Sequence, residues 1–216
     1  MPSSERPFDT PLSTPGAKML YLIARRPETS RDELIAHWYG NHMAAVIQTQ
    51  KDLALQGQAH AWRYVATLYH TRLKGADAWD GMAQLWYDAP LPMPPEPRGT
   101  HPTDTFQQKV QPYMPWASKE VVVLDGSERL PVEPLTLNPP FPCTRSGFFK
   151  VSFLVKARNA VDNAAFFDHW LKVHAPNVAA TMLAVDGFRY VVSQSIDPET
   201  APYAGLAELY FESAEG

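Results

Sequence analysis

The sequence has a single cysteine, Cys143, and it has neither a cluster of basic residues nor a long apolar run. One cysteine excludes an intramolecular disulfide and is typical of a reducing compartment. A formal net charge of -4 provides no basic surface for nucleic acid. No apolar stretch approaches the length of a membrane span, and the first residues lack the apolar core of a signal peptide. We therefore expect a cytoplasmic protein that binds neither nucleic acid nor membrane.

The common motifs of nucleotide, metal and serine-hydrolase chemistry are also missing. The sequence contains no Gly-x-Gly-x-x-Gly, no P-loop and no Gly-x-Ser-x-Gly. No Cys/His cluster has the spacing of a zinc site. We therefore predict no metal site and no cofactor.

Proline, in contrast, is abundant, with 21 residues that fall mainly into two clusters. The clusters span residues 90–115 and 131–142, between segments with regular hydrophobic patterns, as is typical of long connections. We assign residues 125–146 to a proline-rich linker. It separates a first repeat, residues 18–124, from a second repeat, residues 147–216.

The motif His-Trp-x-x-x-His occurs once in each of these halves, at His37–His42 and at His169–His174. The stretches Lys18–Val46 and Lys150–Val178, which contain the two motifs, align without a gap. Such internal repetition indicates a duplicated architecture.

Each half has the same predicted order of elements. An apolar strand, residues 18–25 or 149–156, looks buried on both faces and precedes a helix. Ser30 and Glu33 form a capping box for the first helix, and Asp162 is the N-cap of the second. Later strands are predicted at 62–65, 82–87, 120–124, 188–191 and 206–211, and a short helix at 104–111. The order βαββαβ predicts an α+β fold of two tandem ferredoxin-like units. The second repeat reaches Gly216 without its last helix and strand.

Helical spacing divides the motif into two faces. Residues four apart share a face of an α-helix, so Trp38 lies beside His42, and Trp170 beside His174. His37 is five residues from His42 and is expected to point away from it, which argues against a helical zinc pair. Pro176 is expected to break the second helix just after His174.

His42 and His174 are the candidate catalytic residues. Both lie on an apolar stripe, where a histidine is either a buried, hydrogen-bonded structural residue or a group that transfers protons. We interpret the tryptophans mainly as core residues. Each third strand also has one polar residue between apolar ones. That residue faces either solvent or a cavity, and in a cavity it would orient a histidine. The candidate substrate-binding residues are Trp38, Tyr64, Gln84, Trp170, Tyr190 and Glu208.

Together these segments resemble the EthD family of the dimeric α/β-barrel superfamily. The resemblance rests on the strand, the capped helix with His-Trp-x-x-x-His, Gly-Phe-Arg-Tyr at 187–190 and Ala-Glu-Leu-Tyr-Phe at 207–211. It implies two ferredoxin-like units whose sheets pair face to face, within one chain or across a homodimer, with an apolar cavity in each unit. The functional histidine of the family corresponds to His42 and His174. The glutamate that is usual in the family is retained in the second repeat as Glu208, whereas the first repeat has Gln84 at this position.

The resemblance also implies a range of activities. Relatives act as cyclases, isomerases, dehydratases, decarboxylases or cofactor-free monooxygenases on hydrophobic cyclic or polyketide-like molecules, and some distant members bind haem. We expect a cofactor-independent lyase or isomerase that uses histidine acid/base chemistry on a small hydrophobic oxygenated substrate. A non-catalytic protein that binds an apolar ligand and a haem-binding protein are the alternatives.

Overall fold

The structure is a computed structural model that describes residues 11–70, 79–130, 147–158 and 162–214. These residues form a mixed α/β fold with antiparallel strands. They divide into two compact units. Of these residues, the N-terminal unit contains 16–70 and 79–117, and the C-terminal unit contains 11–15, 118–130, 147–158 and 162–214.

The elements follow the predicted order, except that a short unpredicted strand precedes the first predicted one. The strands are β1 (Leu12–Ser13), β2 (Ala17–Ile23), β3 (Arg63–Leu68), β4 (Gly81–Tyr87), β5 (Trp116–Leu124), β6 (Phe149–Val155), β7 (Arg189–Ser195) and β8 (Gly205–Phe211). The α-helices are α1 (Arg31–Ile35), α2 (Met43–Leu55), α3 (Thr105–Lys109), α4 (Asn163–His169) and α5 (Ala175–Ala184). A short 3₁₀ turn spans Ser127–Arg129.

In the N-terminal unit, β4 pairs with β3 on one side and β2 on the other. The helices cover one face of these strands, where Met19, Ile23 and Leu85 join Leu34 and Trp38 in a buried apolar cluster. Alternation along the strands sends the other residues to the opposite face. The core of this unit therefore lies between the strands and the helices.

The C-terminal unit repeats this arrangement. Its strand β8 lies between β7 and β6, and a second apolar cluster contains Trp170, Tyr190, Val192, Ala207 and Met182. From Ser118 onward, β5 pairs antiparallel with β7, and β1 pairs with β5. The C-terminal unit thus includes a strand that the sequence places before the linker.

The predicted helix starts are confirmed. The Ser30 hydroxyl accepts from the Glu33 amide, and the Glu33 carboxylate accepts from the Ser30 amide, which completes the capping box. The carboxylate of Asp162 accepts from the Ala164 amide at the start of α4. These bonds satisfy amides that would otherwise have no partner within the helix.

A π-helical turn occurs in both copies of the repeated motif. The π-helical segments are Ala36–His42, between α1 and α2, and Trp170–His174, between α4 and α5. In each, the amide that follows the second histidine donates to the carbonyl of the motif tryptophan, five residues earlier. The prediction of a helix break after His174 is therefore wrong. Pro176 lies in the first turn of α5, where its missing amide proton is tolerated.

Strand burial differs between the halves. The prediction that the first strand is buried on both faces is confirmed for β2, in which only Tyr21 is partly exposed. It is wrong for β6, where Phe153 is 52% exposed. Within the described residues β6 pairs only with β8, so one edge of the strand lacks a neighbour. Most of the predicted linker, including Cys143, lies outside the described residues.

Candidate functional site

Each motif tryptophan forms a hydrogen bond with a strand tyrosine beneath it. The indole of Trp38 donates to the Tyr64 hydroxyl over 3.2 Å, and the indole of Trp170 donates to the Tyr190 hydroxyl over 3.4 Å. Both tryptophans are buried. Burial raises the pKa of Tyr64 and of Tyr190, so both hydroxyls stay protonated. The pairs satisfy the polar atoms of large core side chains.

A glycine beneath each indole makes room for the ring. A Cβ atom at Gly81 would lie 2.8 Å from the Trp38 ring, and one at Gly205 would lie 2.8 Å from the Trp170 ring. Each added atom would also meet a backbone carbonyl oxygen of the neighbouring strand. The helix and the sheet therefore approach too closely for any side chain at these two positions.

The two candidate catalytic histidines have different surroundings, and His42 contacts both a carboxylate and an aromatic ring. Its Nδ1 donates to Oδ2 of Asp104 over 2.5 Å. The other carboxylate oxygen of Asp104 accepts from the Gln107 amide over 2.8 Å, at the N-cap of α3. The same carboxylate therefore fixes a helix end and holds the imidazole.

An aromatic ring fixes the plane of the His42 imidazole. The imidazole stacks on Phe106 with ring centroids 4.4 Å apart. Phe106 also contacts Trp38, at 5.5 Å, and belongs to the buried core. The His42 side chain keeps 16% of its surface exposed. Because Nδ1 donates to the carboxylate, Nε2 is left with a lone pair that can accept a proton.

His37 also reaches α3, contrary to the predicted geometry. Its Nδ1 lies 2.9 Å from the Thr105 hydroxyl, and the Asn41 amide donates to the same hydroxyl over 3.3 Å. The prediction assumed 3.6 residues per turn, whereas the segment is π-helical and has a longer turn. His37 and His42 consequently contact consecutive residues, Thr105 and Asp104.

His174 is exposed. In the part of the chain that the structure describes, no hydrogen bond or ion pair to its imidazole is found. The described C-terminal unit also has no helix in the position that α3 takes in the N-terminal unit. Within the described residues, His174 therefore has no counterpart of the contacts that hold His42.

Gln84 and Glu208 lie on the sheet face opposite the tryptophan–tyrosine pairs. Each directly precedes a core residue of its strand, and alternation turns the two neighbours to opposite faces. Glu208 accepts from the Lys150 ammonium over 2.9 Å, and both side chains are more than nine-tenths buried. This glutamate therefore forms a buried ion pair with a lysine. Gln84 is 1% exposed.

Sequence reasoning missed several residues around these candidates. Asp104, Phe106, Lys150 and the glycines Gly81 and Gly205 were not identified from the pattern. Asp104 had a usable signal, because it is the first residue of the predicted short helix and is followed by glutamine three positions later. Among the described residues, no group of three or more His, Cys, Asp or Glu side chains is placed to hold a metal ion. None of the described helices combines the length and hydrophobicity that crossing a bilayer requires.

Residues 158–216 match the family model of the EthD domain. This region contains α4, the second motif, α5, β7 and β8, so the similarity shown to the EthD domain lies in the C-terminal part of the chain. A search among curated proteins found no match. One solved structure, described as that of a novel heme-binding protein from Thermus thermophilus, is 15% identical, with a TM-score of 0.38. The comparison covers 94% of this chain and 81% of that chain. At this level the likeness carries no argument about function.

Proposed function

We propose that the protein is a cofactor-independent lyase or isomerase in which His42 moves a proton to and from a small hydrophobic oxygenated substrate. The observation that carries the proposal is the hydrogen bond from Nδ1 of His42 to the Asp104 carboxylate. A carboxylate in this position holds the imidazole in the tautomer whose Nε2 is a base, and it stabilises the imidazolium that forms. Such a base acts on a C–H bond next to a carbonyl.

The surroundings of His42 support this role. Phe106 and Trp38 provide an apolar wall, and the low local dielectric strengthens the interaction between the imidazolium and Asp104. The hydroxyl of Tyr64 already accepts from the Trp38 indole, and its own proton remains as a donor for a substrate oxygen. In the C-terminal unit, Trp170, Tyr190 and Glu208 satisfy other protein groups, so we assign them structural roles.

For the architecture, we infer two tandem ferredoxin-like repeats, residues 18–124 and 147–216, joined by the linker 125–146, in a dimeric α/β-barrel-type arrangement. Support comes from the shared π-helical turn, the shared tryptophan–tyrosine bond and the equal strand orders β3–β4–β2 and β7–β8–β6. We retain a cytoplasmic location and a homodimer as parts of the same proposal.

The proposal is tested by proton exchange, which does not require knowledge of the natural product. The wild-type protein is incubated in D₂O with 1-indanone, and deuterium uptake beside the carbonyl is followed by NMR. His42→Ala is expected to lower the protein-dependent rate by about 10²-fold or more. His174→Ala is the matched control and is expected to leave the rate unchanged. Equal rates in wild type and His42→Ala would reject the proposal.

The same preparations examine the two alternatives. An apolar-ligand carrier would bind 1-indanone and show no exchange above the buffer rate. A haem protein would show a Soret band after reconstitution with haem, and one His→Ala variant would remove it.

A further inference from the structure

Helix α3 is only five residues long, so contacts with the rest of its unit must hold it in place. An isolated helix of this length is unstable in water, because forming the first turn fixes many dihedral angles for one hydrogen bond. Phe106 anchors the middle of α3 in the core, and the Lys109 ammonium donates to the Glu33 carboxylate over 2.9 Å near its end. The placement of the Asp104 carboxylate against His42 depends on what holds the other end, where α3 begins.

A short chain of hydrogen bonds attaches this beginning of α3 to the π-helical turn. The Asn41 amide donates to the Thr105 hydroxyl over 3.3 Å, and the same hydroxyl lies 2.9 Å from Nδ1 of His37. Nδ2 of Asn41 is also 3.4 Å from Nδ1 of His37. A hydroxyl can accept and donate at once, so its own proton remains for the imidazole. Because Thr105 directly follows Asp104, holding Thr105 limits the movement of the carboxylate.

The π-helical turn is what brings both histidines of the first motif to this helix end. In such a turn, residues five apart are hydrogen-bonded neighbours. His37 and His42 can therefore contact consecutive residues, Thr105 and Asp104. In a regular α-helix, side chains five apart do not share a face.

The second copy of the motif lacks these hydrogen bonds. The residue aligned with Asn41 is Val173, which has no polar group in its side chain and is 47% exposed. His169, which is aligned with His37, is exposed, and no hydrogen bond to its imidazole is found in the ranges that the structure describes. The asparagine that binds Thr105 thus occurs in the copy for which a helix equivalent to α3 is described.

We propose that His37 is a positioning residue, which together with Asn41 holds Thr105 and thereby keeps the Asp104 carboxylate against Nδ1 of His42. The proposal rests on the proposed function only for its effect on turnover, because the His42–Asp104 bond can be measured without a reaction. Loosening the start of α3 misaligns the base, and a small misalignment of a reacting group lowers the rate. The expected effect is therefore on kcat and not on KM.

The first measurement follows the proton on Nδ1 of His42 by NMR of the full chain, labelled with ¹⁵N at histidine. A proton donated to a carboxylate is protected from exchange with water and gives a downfield resonance, and the one that His42→Ala removes belongs to His42. Wild type should show this resonance, and His37→Ala and Thr105→Val should lose it. His37→Asn should keep it, because the asparagine oxygen can accept from Thr105 where Nδ1 did. His169→Ala, the matched control from the second motif, should also keep it.

The second measurement is the 1-indanone exchange rate at several probe concentrations. His37→Ala is expected to lower kcat about tenfold, and KM should stay within about twofold of wild type. His37→Asn should restore most of kcat, which a general loss of stability would not allow. His169→Ala should leave both constants unchanged.

Three results would overturn the positioning role: no protected Nδ1 resonance in wild type, its retention in His37→Ala, or its loss in His169→Ala. If His37→Ala removes the resonance while His42→Ala leaves 1-indanone exchange intact, the positioning role stands and the proposed function fails. If His42→Ala abolishes exchange while His37→Ala retains both the resonance and kcat, the reverse holds.

Discussion

In the N-terminal unit the second histidine of the repeated motif is held by a helix of the same unit, whereas in the C-terminal unit its equivalent is exposed. His42 bonds to Asp104 and stacks on Phe106, and both of these residues belong to α3 and its cap. His174 follows the same π-helical turn and has no such helix within the described residues. The motif alone therefore does not orient its second histidine. In the N-terminal unit, α3 and its N-cap provide the residues that do.

A second comparison concerns the sheet face opposite the helices, where each unit has a buried lysine. Lys150 bonds to Glu208 and lies over the Tyr210 ring at 5.6 Å. In the N-terminal unit the aligned Lys18 is 1% exposed and lies over the Trp86 ring at 5.1 Å. Its strand neighbour carries the neutral Gln84 in place of a glutamate. Both units thus place a buried lysine over an aromatic ring on this face.

The largest effect on stability is expected for Glu208→Gln, which places at position 208 the residue type found at Gln84. The buried Lys150 would lose the negative charge that accepts its hydrogen bond, which costs about 3 kcal/mol of the free energy of unfolding. Urea denaturation measures the loss. The double variant Lys150→Met/Glu208→Leu, which removes both charges, should lose less than Glu208→Gln. A Glu208→Gln protein as stable as wild type would show that the ion pair makes no difference between the halves.

A smaller and equal effect is expected at the two glycines beneath the tryptophans. Gly81→Ala and Gly205→Ala each force a methyl group against an indole ring and a carbonyl oxygen, at a cost of about 2 kcal/mol. Gly40→Ala is the control, because it lies in the first motif and a Cβ there meets nothing within 4 Å. It should be neutral or slightly stabilising. Thermal melting of the three variants distinguishes these outcomes, and a large effect at only one of Gly81 and Gly205 would contradict the equivalence of the two indole sites.

The smallest effect is expected at the tyrosine hydroxyls. Tyr64→Phe and Tyr190→Phe each remove the acceptor of a buried indole, which costs about 1 kcal/mol. The melting temperature should fall similarly in both variants. In the exchange assay, only Tyr64→Phe should lower the rate, since His174, the equivalent of His42 in the unit of Tyr190, is exposed. Equal losses of activity would indicate that the C-terminal unit also reacts.

Much of the fold was predictable because its signals are local. The capping box at Ser30, the N-cap Asp162 and the apolar strands are confirmed by the structure. The π-helical turn was not predictable from a pattern read at 3.6 residues per turn, and this is why His37 was wrongly expected to point away. The pairing of Lys150 with Glu208 depends on strand register, which alternation alone does not determine.

Only the part of the site that lies in local sequence patterns was predictable. His42, Trp38 and Tyr64 lie in recognisable local patterns. The residue that orients His42 is 62 positions later in the chain, and the long connection between β4 and α3 gives no periodic signal about where it returns. Asp104 was predicted only as the start of a helix. The sequence did not indicate that its second carboxylate oxygen accepts from His42.

The most direct test of the account measures 1-indanone exchange in Asp104→Asn, His42→Ala and the double variant. Asparagine retains the cap of α3, so the substitution alters the partner of His42 and preserves the helix. The account predicts a loss of about 10²-fold in Asp104→Asn, since the imidazole is no longer held in the required orientation. The double variant should be no slower than His42→Ala alone, because the two residues act as one unit. A wild-type rate in Asp104→Asn, or losses that add in the double variant, would contradict it.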